Sequence, residues 1–171
     1  VLLTVFFATS FGLNFNFFNA MMVQQVFHQN AAVFGTMGTI VAIGTLSGAL
    51  LSTRLEHLRN AKNVARGAVL FGLLITVIAF MPNLMLYALL LPFLGVVALS
   101  TLISANSSMQ LHTDAAIRGR VLAWYVLAFS SPAGQPILGW VAETVGVRWA
   151  ITLAGVVTAL AAMAVLWIFR G

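Results

Sequence analysis

The residues of this sequence best suited to chemistry are those with uncharged side chains that form hydrogen bonds. Most lie inside long apolar stretches, at Asn14, Asn16, Asn19, Ser130, Ser131 and Gln135. Burying an amide costs free energy unless it has a hydrogen-bonding partner. Asn16 and Asn19 are three residues apart, so a helix would place them on one face. These side chains either line a polar cavity or connect helices through hydrogen bonds.

A second polar group begins at Asn106 and Gln110, which share a helix face at a spacing of four. Asp114 and Arg118 have the same spacing, and Arg120 follows them. These five residues lie at and beyond the end of an apolar stretch, which favours a helix-end network over a binding site. The alternative for Asp114 and Arg118 is a solvated ion pair, which contributes only about 0–1 kcal/mol.

Residue sets suited to catalysis or metal binding are missing from the sequence. It has no cysteine, and its three histidines, at positions 28, 57 and 112, fall in or beside expected loops without metal-ligand spacing. No carboxylate accompanies a Ser and a His within one apolar stretch, and no phosphate-binding glycine loop ends in Lys. We therefore expect no enzymatic activity, no metal and no cofactor.

The composition indicates that lipid is the main solvent of the chain. Charged residues make up 6% of the 171 positions and hydrophobic residues 61%, whereas a soluble domain carries about 25% charged residues. The net charge of +5 lies in short clusters between apolar runs. That distribution is typical of the connecting loops of a membrane protein and not of a nucleic-acid-binding surface.

Six apolar stretches are long enough to cross a bilayer as helices. They lie at about 1–26, 31–53, 64–81, 84–110, 119–142 and 149–169. Helices are expected because lipid offers no partner to an unpaired backbone amide, and the alternating segments of a β-barrel are missing. The predicted fold is an all-α integral membrane bundle that occupies residues 1–171.

Basic residues predict the orientation of this bundle. Connections on one side would hold Arg54, Arg59, Lys62, Arg66, Arg118, Arg120 and Arg170, and those on the other side only Arg148. The positive-inside rule places the first group, and with it the C-terminus, in the cytoplasm.

The polarity of the spans differs in a regular way. The third and sixth spans have few polar residues and are expected to face lipid, whereas the other four carry amides, hydroxyls or small residues. Gly44 and Gly48 form a GxxxG pair, which indicates close packing of helices. A peripheral helix at every third position predicts two three-helix units of the kind that form inverted repeats.

Motifs in the second half of the chain resemble those of a known family. They are Asn106–Gln110, Arg118-Gly-Arg-Val121, Trp124-Tyr125, Pro136, Gly139 and Glu143–Trp149. The whole chain resembles the C-terminal half of major facilitator superfamily transporters. The most similar branch is the bacterial exporters related to the enterobactin exporter, also called transmembrane secretion effectors. The stretch from Ser130 to Pro136 is more Gly-rich in many such exporters, so the resemblance does not identify a substrate.

The resemblance implies helices seven to twelve of a twelve-helix transporter in the bacterial inner membrane. The chain starts at Val1 without an initiator Met, and an N-terminal six-helix half is expected as its partner beside the lipid bilayer. The implied function is secondary-active export of a small, rather apolar compound by alternating access. The first polar group above would then line the substrate pathway, and the second, from Asn106 to Arg120, would form a cytoplasmic gate.

Two alternatives remain open on the sequence alone. One is a six-helix permease subunit driven by a separate ATPase, for which residues 54–66 would have to form the coupling segment. The other is a membrane scaffold that transports nothing.

Overall fold

A computed structural model describes residues 15–54, 61–112, 119–120, 123 and 134–168. This part of the chain is helical and contains no strand. Its α-helices are α1 (Phe15–Met21), α2 (Ala31–Arg54), α3 (Ala61–Ala79), α4 (Leu84–His112), α5 (Gly134–Thr144) and α6 (Val147–Ile168). A π-helical segment, Met22–Val26, continues α1. The predicted all-α class is thus confirmed, and the predicted ends of α2, α3, α4 and α6 lie within three residues of the observed ones.

Four of these helices are long and apolar enough to cross a membrane. Their candidate spans are Ala31–Arg54, Lys62–Ala79, Leu84–Leu111 and Val147–Ile168. Within the described residues, α1 has 7 residues and α5 has 11. The chain is therefore a multi-pass membrane protein, while the count of six spans and the division into inverted repeats stay predictions.

Within the described residues, short turns separate helices at three places where polar residues or glycine interrupt the apolar pattern. The side-chain oxygen of Asn30 accepts a hydrogen bond from the Val33 amide at 3.1 Å, and that of Asn83 accepts one from the Leu86 amide at 2.9 Å. Both asparagines thus cap the first turn of a helix. Gly146 has a φ of 112°, a left-handed conformation that ends α5 before α6 begins.

Glycines bring α2 and α4 into direct backbone contact. A Cβ atom added to Gly44 would lie 2.6 Å from the Pro92 Cα, and one added to Gly48 would lie 2.6 Å from the Val96 carbonyl oxygen. Because both positions advance together by four residues, the two helices run parallel. The structure places Gly44 and Gly48, the pair singled out in the sequence, at this contact.

A second glycine contact joins α3 and α6. A Cβ on Gly72 would meet the Gly155 carbonyl oxygen at 2.5 Å, and one on Gly155 would meet the Gly72 carbonyl oxygen at 2.6 Å. Gly72 also approaches Ala159 and Gly155 also approaches Thr76, so the contacts advance along α3 as they go back along α6, and the two helices are antiparallel. The sequence predicts lipid-facing helices here, but each has a packed face as well as an exposed row, which includes Leu73 on α3 and Leu160 on α6.

Candidate functional site

A buried polar cluster joins α1, α2 and α4 near the turns at residues 27–30 and 80–83. Asn19 on α1 is fully buried, and its amide nitrogen donates to the carbonyl oxygen of Phe34 on α2 at 3.4 Å. Its amide oxygen accepts a hydrogen bond from the hydroxyl of Tyr87 on α4 at 3.2 Å. In an apolar surrounding, these two bonds compensate the cost of burying the amide and the phenol.

Aromatic and aliphatic side chains enclose this cluster. The rings of Phe27 and Tyr87 lie 5.4 Å apart in a tilted arrangement, which fixes the end of the π-helical segment against α4. On its inner side, Tyr87 borders a cavity of about 10 Å³ whose other walls are apolar side chains of α1, α3, α4 and α6. With so little polar lining, this cavity is suited to packing and not to holding a polar ligand.

The predicted pathway residues occupy different environments in the structure. Asn16 is exposed, Asn19 is buried in the cluster just described, and Gln135 is half-buried near the start of α5. Asn14, Ser130 and Ser131 lie outside the described residues. The structure thus places Asn16 and Asn19 on one short helix with different exposure, although their spacing puts them near the same face.

The predicted gate residues lie at the other end of α4. Asn106 accepts a hydrogen bond from the amide nitrogen of Gln110 one turn later, so the two side chains form an intrahelical pair. Arg120 is exposed. Asp114 and Arg118 fall outside the described residues, and the gate role of the group stays a prediction.

Arg148, near the start of α6, joins that helix to the end of α3. Its guanidinium donates to the carbonyl oxygens of Ala79 at 2.8 Å and Met81 at 3.0 Å. These oxygens lie at the end of α3 and in the turn that follows it, where a helix leaves carbonyls unpaired and attracts positive charge. An edge-to-face contact of Phe80 with Trp149, with ring centroids 6.1 Å apart, reinforces the junction. Arg148, the single basic residue on the outer side in the predicted topology, thus caps a helix.

Sequence analysis missed Tyr87 and the capping role of Arg148. A signal for Tyr87 existed, since it is one of only two tyrosines and lies inside an apolar stretch, where a phenol needs a partner. No group of three or more His, Asp or Glu side chains that could hold a metal ion occurs within the described part of the chain.

Comparisons with protein families and known proteins identify the family of this chain. No curated protein and no solved structure matches the chain. A family model described as "Transmembrane secretion effector" matches residues 3–170, which is almost the entire length. Together with the apolar helices, this match shows that the chain belongs to the transmembrane secretion effectors, a family of major facilitator transporters.

Proposed function

We propose that this chain forms helices seven to twelve of a secondary-active exporter that moves a small, rather apolar compound by alternating access. The family match supports transport as the general function. The uneven burial of the bundle carries the more specific proposal. Among the residues that would span the membrane, 44% of those in α3 are buried but only 17% of those in α2. The open side of α2 offers a face for the six-helix half that alternating access requires.

The open side has the composition of a helix interface that extends across the membrane. On α2 it combines exposed small residues with exposed Ile43, Leu46 and Leu50, which are 60%, 64% and 65% exposed. Its serine and threonine hydroxyls donate to carbonyl oxygens of their own helix, as Ser47 does to Ile43 at 2.8 Å. The face therefore needs no polar partner and can slide or separate at low cost, as rocking of two halves demands.

Orientation is the second part of the proposal. The exposed Arg54, Lys62 and Arg66 would lie in the cytoplasm with the C-terminus, and the asparagine-capped turns outside the bacterial inner membrane. Labelling single cysteines with a membrane-impermeant thiol reagent added outside tests this arrangement. We expect Gln29→Cys to react and Lys62→Cys to stay unlabelled, and the reverse pattern would overturn the orientation.

Pathway and gate residues complete the proposal. Of the predicted pathway residues, Asn14, Asn16, Ser130, Ser131 and Gln135 would line the substrate pathway, and Asn19, which is buried, would support it from behind. The gate would consist of Asn106, Gln110, Asp114, Arg118 and Arg120. Their side chains supply neutral hydrogen bonds along the pathway and charge only at its cytoplasmic end, which suits a compound without a strong charge.

The energy source distinguishes the proposal from its two alternatives. We would express the full protein in an efflux-deficient bacterial strain and measure the accumulation of Nile red, an apolar dye. A secondary exporter lowers dye accumulation until a protonophore is added, at constant ATP. Vanadate sensitivity without protonophore sensitivity would favour the ATPase-driven permease. Dye accumulation equal to that of the empty strain would contradict export of an apolar compound and favour the scaffold.

A further inference from the structure

Helix α1 and its π-helical extension have one apolar, packed side and one amide-bearing, open side. The packed side consists of Phe18, Asn19, Met21, Met22 and Val23, all of them buried. Asn16, Gln24 and Gln25 are exposed, and none of these three amides has a hydrogen-bonding partner in the described part of the chain. An unpaired amide that faces hydrocarbon is costly, so this side requires water or a polar ligand.

The π-helical segment brings the side chains of Asn16 and Gln24 closer to the same face of the helix. In an unbroken α-helix, the eight residues from Asn16 to Gln24 would leave the two side chains about 80° apart. The hydrogen bond from the Phe27 amide to the Met22 carbonyl oxygen, at 2.9 Å, closes a wider turn of five residues. Each residue in such a turn advances the chain by a smaller angle, so Gln24 rotates back toward Asn16.

The Asn19 cluster fixes the rotation of this helix. Asn19 lies between Asn16 and Gln24 along the chain, and its side chain is held by two different helices, through Phe34 and Tyr87. Rotation of α1 about its own axis would break both hydrogen bonds and would move the exposed amides toward the packed side. The two bonds therefore select the orientation in which Asn16 and Gln24 face the open side.

We propose that Asn16 and Gln24 form a water-facing amide wall of the transport pathway. In this proposal Asn19, held by Tyr87, is the positioning residue that keeps both amides on the water-facing side of the helix. The inference rests on the proposed transport function and adds Gln24 to the pathway. The wall presents amide donors and acceptors and no charge. It thus suits a neutral part of a compound that exchanges hydrogen bonds with water for hydrogen bonds with amides.

Cysteine accessibility tests the wall without knowledge of the substrate. In the full protein, made cysteine-free outside this chain, we would replace single residues and apply a charged, water-soluble methanethiosulfonate to membranes opened to both sides. We expect Asn16→Cys and Gln24→Cys to react. Val23→Cys, next to Gln24 but buried, and Leu73→Cys, on the exposed apolar row of α3, are the matched controls that should stay unreactive. Unreactive cysteines at both 16 and 24, beside a reactive Gln29→Cys in the outer turn, would overturn the proposal.

The positioning role has its own measurement. Tyr87→Phe removes one hydrogen bond and keeps the ring, and Asn19→Leu is a second variant that removes both bonds. Loss of one helix–helix hydrogen bond in a membrane changes a population by about threefold, so the reaction rate of Gln24→Cys should change by about that factor while Gln29→Cys reacts as before. An unchanged rate at 24 in both backgrounds, or an equal change at both positions, would contradict positioning. Because labelling needs no transport, failure of the exporter assay leaves these outcomes readable.

Discussion

Two helix pairs in this bundle use the same kind of contact for different purposes. In both pairs, glycines let backbones approach so closely that a Cβ atom would not fit, as at Gly44 beside Pro92 and at Gly155 beside Gly72. The α3–α6 pair is antiparallel, and Arg148 and the Phe80–Trp149 contact join the end of α3 to the start of α6. The α2–α4 pair is parallel, and its N-terminal end is tied through Tyr87 and Asn19 to α1 instead.

This difference separates a fixed part of the bundle from an adjustable one. The end of α3 is held by a charged group that donates to backbone oxygens, and such bonds are stronger than bonds between neutral groups. The Asn19 amide of α1 holds α2 through the Phe34 carbonyl oxygen and α4 through the Tyr87 hydroxyl. Hydrogen bonds between such neutral groups are weak in a membrane. We infer that α3 and α6 form the more stable part of the bundle, whereas α1 and α2 are the helices that would move under the proposed alternating access.

Overpacking the glycine contacts should have the largest effect on stability. We expect Gly155→Val and Gly44→Val each to lower the free energy of unfolding by about 3 kcal/mol, since the added atoms meet backbone that cannot move aside. Thermal unfolding of the detergent-purified protein measures this loss. Gly38→Val, where nothing lies within 4 Å of the added Cβ, is the matched control on the same helix as Gly44. Equal losses at positions 38 and 44 would refute close packing of α2 on α4.

Removing the helix cap at Arg148 should have the next largest effect. Arg148→Gln leaves the carbonyl oxygens of Ala79 and Met81 without their charged donor, and hydrogen bonds to a charged group contribute about 1.5–3 kcal/mol each. We expect a net loss of about 2 kcal/mol, measured by thermal unfolding, because Arg148 is half-buried and water can replace part of the interaction. Arg54→Gln, an exposed arginine at a helix end, should change stability little. A similar loss for the two variants would argue against a specific cap.

The sequence predicted the ends of helices better than the contacts between helices, and the reason is physical. Helix ends follow from the boundary between lipid and water, so Asn30, Asn83 and Gly146 marked turns that the structure contains. Partners across helices do not follow from such a boundary. Asn19 and Tyr87 are 68 residues apart, and an amide that lines a pathway has the same local pattern as one that joins helices.

Packing was harder to predict than position along the chain. Lipid and a neighbouring helix are equally apolar, so the composition of α3 fits both a lipid-facing and a packed surface. Only the spacing of small residues distinguishes them, and Gly72, Thr76, Gly155 and Ala159 carry that signal in two separate segments. The wider turn at Met22–Val26 left no recognisable pattern, because it depends on which carbonyl each amide selects.

Loss of the Tyr87 hydroxyl should have a smaller effect on stability than loss of the Arg148 cap. Tyr87→Phe removes the bond to Asn19 but keeps the contact with Phe27, and hydrogen bonds between helices in membranes average about 0.6 kcal/mol. We expect a decrease of about that size in the free energy of unfolding, together with a change in transport rate if α1 moves. The control Phe27→Leu removes the ring contact and keeps the hydrogen bond. A decrease above that of Arg148→Gln would reverse the assignment of fixed and adjustable regions.

The intrahelical pair near the C-terminal end of α4 should contribute least to stability. Gln110 is exposed, and within the described residues its side chain bonds only to Asn106 of its own helix, an arrangement that stabilises a helix by about 0.2–0.5 kcal/mol. Gln110→Leu should therefore leave thermal unfolding almost unchanged. If the pair belongs to a gate, the same variant should still alter the rate of dye export, because a gate needs different contacts in its open and closed states. Ser47→Ala on the open face of α2, which also removes only an intrahelical bond, controls for general effects of such losses. Normal export by Gln110→Leu would leave the pair with no function beyond its small helical contribution, and a cytoplasmic gate would then have to rest on Arg120 and its neighbours.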